Sequence, residues 1–210
     1  MTFRAALLLL ALASWGASSA VAEDAMVQIS PIFSQLVLFA FPKGFKTVFE
    51  NTNGNRYIRE SVLKGETVDQ WSQMITVTGA RGLAGDPNVT PQAFVSQIGA
   101  GFRRACPETF SVKGLGSMKI SGQDAFMGVA SCGTVAAGGA PHSESALLIG
   151  LKGSADYYTI QWAERGPASA QPIAISDQKW ADRFRALNPI RLCPRVPGEP
   201  APYPSCVNQN

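Results

Sequence analysis

Four cysteines, one histidine and one cluster of carboxylates are the residues of this 210-residue chain whose type and spacing could do chemistry. The cysteines are Cys106, Cys132, Cys193 and Cys206. A zinc site or a thioredoxin-like redox centre would want C-x-x-C spacing, and a mixed metal site would want several histidines. No pair has that spacing, and His142 is the sole histidine. Disulfides are the remaining chemistry. Four cysteines permit three pairings. Cys106–Cys132 and Cys193–Cys206 are favoured because both are local. Each loop closure is worth roughly 3 kcal/mol in the chain-entropy model.

His142 is followed by Ser143 and Glu144, in a stretch rich in Gly, Ala, Pro and Ser. A histidine base needs a nucleophile and an orienting carboxylate in reach, and adjacency in sequence does not supply that geometry. Ser61-Val62-Leu63-Lys64 and Ser176-Asp177-Gln178-Lys179 both match S-x-x-K. The companion motifs of serine enzymes are missing, Ser61 reads as mid-strand and Ser176 reads as a helix cap. Glu60, Glu66 and Asp69 form the densest acidic group. Paired carboxylates could hydrolyse a glycoside, but nothing places these three in one cleft, and a solvated strand end is the safer reading. Gly114-Leu115-Gly116 precedes no helix, so it offers phosphate no helix N-terminus. Thr90 of the sequon Asn88-Val89-Thr90 is explained as a helix cap. No cofactor motif and no metal site are therefore expected. Trp71, Trp162 and Trp180 remain. Trp180 reads as core, while Trp71 and Trp162, with His142, are the candidates for a ligand or partner surface.

The elements that must position these residues follow from pattern. Leu36–Phe41 reads as a buried strand ended by Pro42 and Gly44, and Phe45–Glu50 as the next. Asn53-Gly54 signals a tight hairpin, with Arg56–Leu63 returning. Trp71–Thr78 alternates as a half-buried strand. Thr90-Pro91 opens a helix whose stripe is Phe94, Ile98 and Phe102. Gly99 and Gly101 in it suggest close approach to a sheet. Phe110–Lys113, Ser117–Ile120 and Ala125–Ser131 read as a meander, and 133–143 as a loop. Ser145–Lys152 and Tyr157–Glu164 form a further hairpin. Ser176 caps a second helix that buries Trp180, Phe184 and Leu187 and stops at Asn188-Pro189.

The chain begins with a basic residue, Arg4, then an unbroken Ala/Leu run from Ala5 to Ala13. Ala20-Val21-Ala22 supplies small residues ahead of Glu23 and Asp24. Residues 1–22 thus read as a cleavable secretory signal, too short in its apolar run to be a membrane anchor. The expected organisation is a signal at 1–22, an N-terminal segment at 23–35, a single α+β domain at 36–192 and a Pro-rich tail at 193–210. That tail should be extended, with Cys206 pinning its end. The whole chain carries a formal charge of +3, one unit less without Arg4. That balance makes no electrostatic case for nucleic acid, which would need a clustered basic face.

Strands joined by short turns, interrupted by two helices, specify a mostly antiparallel curved sheet packed by those helices. This order resembles the PsbP-like sandwich, with Phe39-Ala40-Phe41-Pro42-Lys43-Gly44-Phe45 as its opening strand and turn. A second resemblance is to an uncharacterised family of small exported bacterial proteins, on the stretch Glu66 to Val77. The PsbP-like resemblance implies an accessory or binding protein without a shared catalytic site, and it carries no functional residue over. The expected protein is therefore periplasmic or secreted, disulfide-bonded and non-enzymatic. Its expected partner is another envelope protein or an envelope component. A hydrolase using His142 or the Glu66/Asp69 region, and a small-ligand carrier, are the alternatives.

Overall fold

The computed structural model describes residues 26–135 and 139–208. The proposed signal at 1–22 lies outside them. Ten strands and two long helices build three layers. A seven-stranded sheet is the middle layer. One helix covers part of one of its faces, and a three-stranded sheet with the second helix covers the other. Every strand pairing is antiparallel. The expected α+β architecture is thus the one observed, except that the strands divide between two sheets.

The small sheet has β1 (Met26–Ile32), β2 (Gln35–Phe41) and β10 (Arg191–Pro194), in the order β1-β2-β10. All seven residues of β2 are buried, as a continuous apolar run demands of a strand covered on both faces. The stretch 23–35, set apart in the sequence, supplies β1, which pairs with β2 along its whole length. Likewise Cys193 and Pro194 end a strand rather than begin a tail. The rest of the C-terminal segment turns through a short helix, α3 (Pro204–Val207), instead of staying extended. Cys193–Cys206 holds it against β10.

The large sheet contains β3 (Phe45–Asn53), β4 (Arg56–Leu63), β5 (Gln73–Ala80), β6 (Phe110–Ile120), β7 (Gln123–Val135), β8 (His142–Lys152) and β9 (Tyr157–Pro167). Their order is β3-β4-β5-β9-β8-β7-β6. The expected meander at 110–131 is one long hairpin. Gly114 and Gly116 mark a bulge inside β6, not a break, because a bulge absorbs an extra residue without ending the ladder.

Helix α1 is Pro91–Ala105, capped by Thr90, whose Oγ1 accepts from Ala93 N at 3.1 Å. Its buried contacts are with β7 and β8. Val95 packs with Phe126, Ala130, Ala146 and Leu148, backed by Ile98 and Phe102. The close approach is permitted by glycine in the sheet rather than in the helix. A Cβ added at Gly150 would stand 2.5 Å from Val95 Cγ2, whereas one added at Gly99 would meet nothing within 4 Å. Helix α2 is Asp177–Leu187, capped by Ser176, and buries Trp180 and Leu187. These join Phe39, Ile75, Leu147, Ile149, Tyr158 and Ile160 in the main core between the sheets.

Three turns are tied together by one carboxylate, Asp156, which is 2% exposed. Its Oδ2 accepts from Ser34 N at 3.0 Å, from Ser34 Oγ at 2.6 Å and from Tyr158 OH at 3.1 Å. Its Oδ1 accepts from Gly82 N at 2.7 Å. Burial pushes this carboxyl up, but the hydrogen bonds from Ser34, Gly82 and Tyr158 outweigh it and hold the group below its ordinary value. Gln35 completes the knot by accepting from Ser154 N at 2.9 Å.

Candidate functional site

The two disulfides are Cys106–Cys132 and Cys193–Cys206, with Cα–Cα separations of 5.7 and 5.6 Å. Cys106 follows α1 and Cys132 lies on β7, so the first bond staples the helix C-terminus to the sheet it covers. All four sulfurs are consumed. Among the described residues, no group of three or more His, Cys, Asp or Glu could hold a metal ion.

His142 begins β8 instead of lying in a loop. Its Nδ1 hydrogen-bonds the Ala140 carbonyl at 2.9 Å, and its Nε2 lies 3.7 Å from Glu144 Oε2. No serine hydroxyl bonds to it. Ser143 is its neighbour on the strand, so its side chain points to the opposite sheet face. A triad is not assembled. Ser61 is 1% exposed and bonds Thr47 Oγ1 at 3.2 Å, while Ser176 Oγ accepts from Lys179 N as a helix cap. The acidic cluster also disperses. Glu66 accepts from Ser72 Oγ at 2.6 Å, Asp69 offers its backbone carbonyl to Arg165, and Glu60 sits apart on β4.

Trp71 and His142 are joined through two other residues. The Arg165 guanidinium lies 3.8 Å from the centroid of the Trp71 ring, and its Nε donates to Glu144 Oε2 at 3.2 Å. Trp71 precedes β5 rather than lying on it. Trp162 does not share this surface. It is 3% exposed, stacks edge-on against Phe45 and donates its indole N–H to Gln73 Oε1 at 3.0 Å. Arg183 covers it from α2.

The sequence did not point to a trough of about 700 Å³ on the α1 side of the large sheet. Its origin is topological. Helix α1 covers β6, β7 and β8, but β3, β4 and β5 on the same face have no helix over them. Cross-strand register identifies the floor. Asn51 pairs with Ile58, Ile58 with Thr78, and Thr78 with Thr159. Of the neighbouring row, Phe49, Glu60, Thr76 and Gln161, only Gln161 lines the trough. Thr78 and Thr159 share a hydrogen bond of 2.6 Å, and Gln161 donates to Thr159 Oγ1 at 3.2 Å. Phe94, Gln97 and Ile98 of α1 form the wall.

Three arginines line this trough and no carboxylate does. Arg56 opens β4 beside the Asn53-Gly54 turn, Arg81 follows β5, and Arg104 lies in the last turn of α1. Arg81 is held over the Phe33 ring at 4.4 Å. Arg56 and Arg104 have no ion-pair or hydrogen-bond partner among the described residues. The same is true of the side-chain amides of Asn51, Asn53 and Gln97. Glu60, in the neighbouring row of the same face, also has no partner among the described residues and is pushed up by burial. Such a trough can hydrogen-bond and neutralise a ligand, but it assembles no nucleophile with a base.

No family model matches the chain, and no curated protein matches it. Solved structures similar to it include the Ran-binding protein Mog1 of Saccharomyces cerevisiae, at 8% identity and a TM-score of 0.41 over 77% of this chain and 84% of that one. Cyanobacterial PsbP of Synechocystis is similar at 9% identity and a TM-score of 0.41, over 81% and 91% of the two chains. LpqN of Mycobacterium tuberculosis, involved in cell envelope biogenesis, is similar at 8% identity and 0.38, over 80% and 92%. The PsbP-like fold expected from the sequence is therefore among those this chain is similar to. At these scores the likeness carries no reading of function.

Proposed function

We propose that this is an exported, non-enzymatic protein that binds an envelope component in the trough beside α1. The observation that carries the reading is the set of unpartnered donors there. Arginines and amides that the fold does not use flank an apolar strip of Ile58, Phe94 and Ile98. Binding sites combine such a strip with a few convergent polar groups. Export is supported by the leader-like sequence at 1–22 and by two disulfides, which persist in oxidising compartments. Among the described residues, no helix is long and apolar enough to cross a membrane.

Site-specific photo-crosslinking in the native envelope tests this. A benzophenone side chain at Asn51 or Asn53, where β3 lines the trough, is expected to capture a component. The same probe at Lys119, on the exposed β6–β7 hairpin, is expected not to. Equal capture at all three positions, or turnover of a substrate by the purified protein through His142, would overturn the proposal.

A further inference from the structure

Resting on that reading, we infer that the trough takes an acidic glycan chain, a linear oligosaccharide bearing a negative charge on its sugar units. Four features of the trough select this class. First, its charge is one-sided. Arg56, Arg81 and Arg104 line it with no carboxylate among the lining groups. A planar guanidinium pairs a carboxylate through two parallel hydrogen bonds. Two of these guanidinia have all five donors uncommitted among the described residues.

Second, the remaining polar lining is amide. Asn51, Asn53 and Gln97 each present a donor and an acceptor side by side. Neighbouring sugar hydroxyls present the complementary pair. Third, the apolar strip of Ile58, Phe94 and Ile98 offers a surface for the C–H face of a sugar ring. Fourth, the cations are spread out. Arg56 and Arg81 stand beside each other at one end, since Arg56 registers with Ala80. Arg104 stands across the trough on the helix. A single head group would be matched by converging cations, whereas separated cations match a polymer with charge at intervals.

An acidic peptide fits less well. An extended peptide gains affinity by pairing its backbone with a free strand edge. Here the floor is a sheet face, which presents side chains, while the outer edge of β3 offers its backbone in the plane of the sheet and not into the trough. Only side chains remain to bond a ligand. Glu60, in the row beyond Ile58 and outside the trough lining, limits how far an anion can extend toward Trp71. The charged units should therefore lie toward the Arg56 end.

Calorimetric titration of the purified protein with hexagalacturonate tests the class. Its methyl ester is the uncharged control with the same sugars. The acid is expected to bind, to weaken steeply as salt rises, and to bind at least ten times more tightly than the ester. The double substitution R56Q/R104Q is expected to lower affinity for the acid about tenfold or more with the thermal midpoint unchanged. Equal binding of acid and ester would overturn the inference, as would tighter binding of hexaglutamate. So would binding only to phosphatidylglycerol vesicles, or no binding of hexagalacturonate at all. If glycan binding fails while Asn51 and Asn53 still cross-link in the envelope, the ligand class is wrong and the site stands.

Discussion

The Asp156 knot and the trough are both dense in polar side chains, yet they are opposites in how those groups are used. In the knot, the carboxylate accepts four hydrogen bonds, from Ser34, Gly82 and Tyr158, and Gln35 takes a further backbone donor. Its bonds stay within the chain. In the trough, Arg56, Arg104 and the Asn51 side chain have no hydrogen-bond or ion-pair partner among the described residues. Polar density does not distinguish a structural site from a binding site; satisfaction does. Buried polar groups must be paired or the fold loses free energy. Groups at a solvated trough carry no such obligation and remain free to meet a ligand.

That contrast can be broken most forcefully at Asp156. Asp156→Ala orphans the amides of Ser34 and Gly82 in a buried place. It should cost about 3 kcal/mol or more, read as a lower urea midpoint at unchanged slope. Gly153→Ala strikes the same knot sterically. The new Cβ would stand 2.1 Å from Gln35 Oε1 and 2.8 Å from Tyr158 Cε2. A loss of about 2 kcal/mol is expected, as for overpacked interiors. If either variant kept wild-type stability, the knot would not be structural.

pH separates the two regions by sign. The Asp156 carboxyl is held below its ordinary value, first against the burial that raises it, by its hydrogen bonds. Its contribution is then complete above about pH 4, the unfolded value, and is lost as pH falls through the folded one. Asp156→Asn should therefore be less stable than wild type at pH 7, with the gap closing in acid. Glu60 is raised by burial, so its charge opposes folding once pH exceeds the ordinary carboxylate value. Glu60→Gln should gain slightly in thermal midpoint at pH 7, and that gain should vanish below about pH 4. Smallest of all is Asn51→Ala, which should change stability by less than about 0.5 kcal/mol while altering what the trough holds. A loss comparable to Asp156→Ala would mean that the trough, too, is part of the scaffold.

The strands and helices were legible because their signals are local. Thr90-Pro91, Ser176 and Asn53-Gly54 each act within a few residues, and both disulfides close short loops. What was not legible depends on partners far along the chain. Met26–Ile32 has no clean alternation, and it becomes a strand only because β2 is there to pair with it. Trp162 reads like Trp71 in sequence, but its strand turns it into the core while Trp71 stays outside under Arg165. The trough was invisible for a related reason. Asn51, Arg56, Gln161 and Arg104 come from four elements, and their convergence follows from the order β3-β4-β5-β9-β8-β7-β6 and the side on which α1 lands. The Asn-rich hairpin Asn51, Asn53 and Asn55 was the one local hint, since it exceeds what a turn alone needs.

The central place of β2 has a consequence for how the molecule is made. Its partner on one side, β1, comes just before it across a two-residue turn, but its partner on the other, β10, begins at Arg191. A chain emerging amino end first holds its most buried strand half-paired until almost everything else has been synthesised. The small sheet is thus a late-closing latch. A nascent chain should stay protease-sensitive until residues 191–194 are free to dock. Under the export proposed above, this delay would keep the chain from locking shut before it has crossed the membrane.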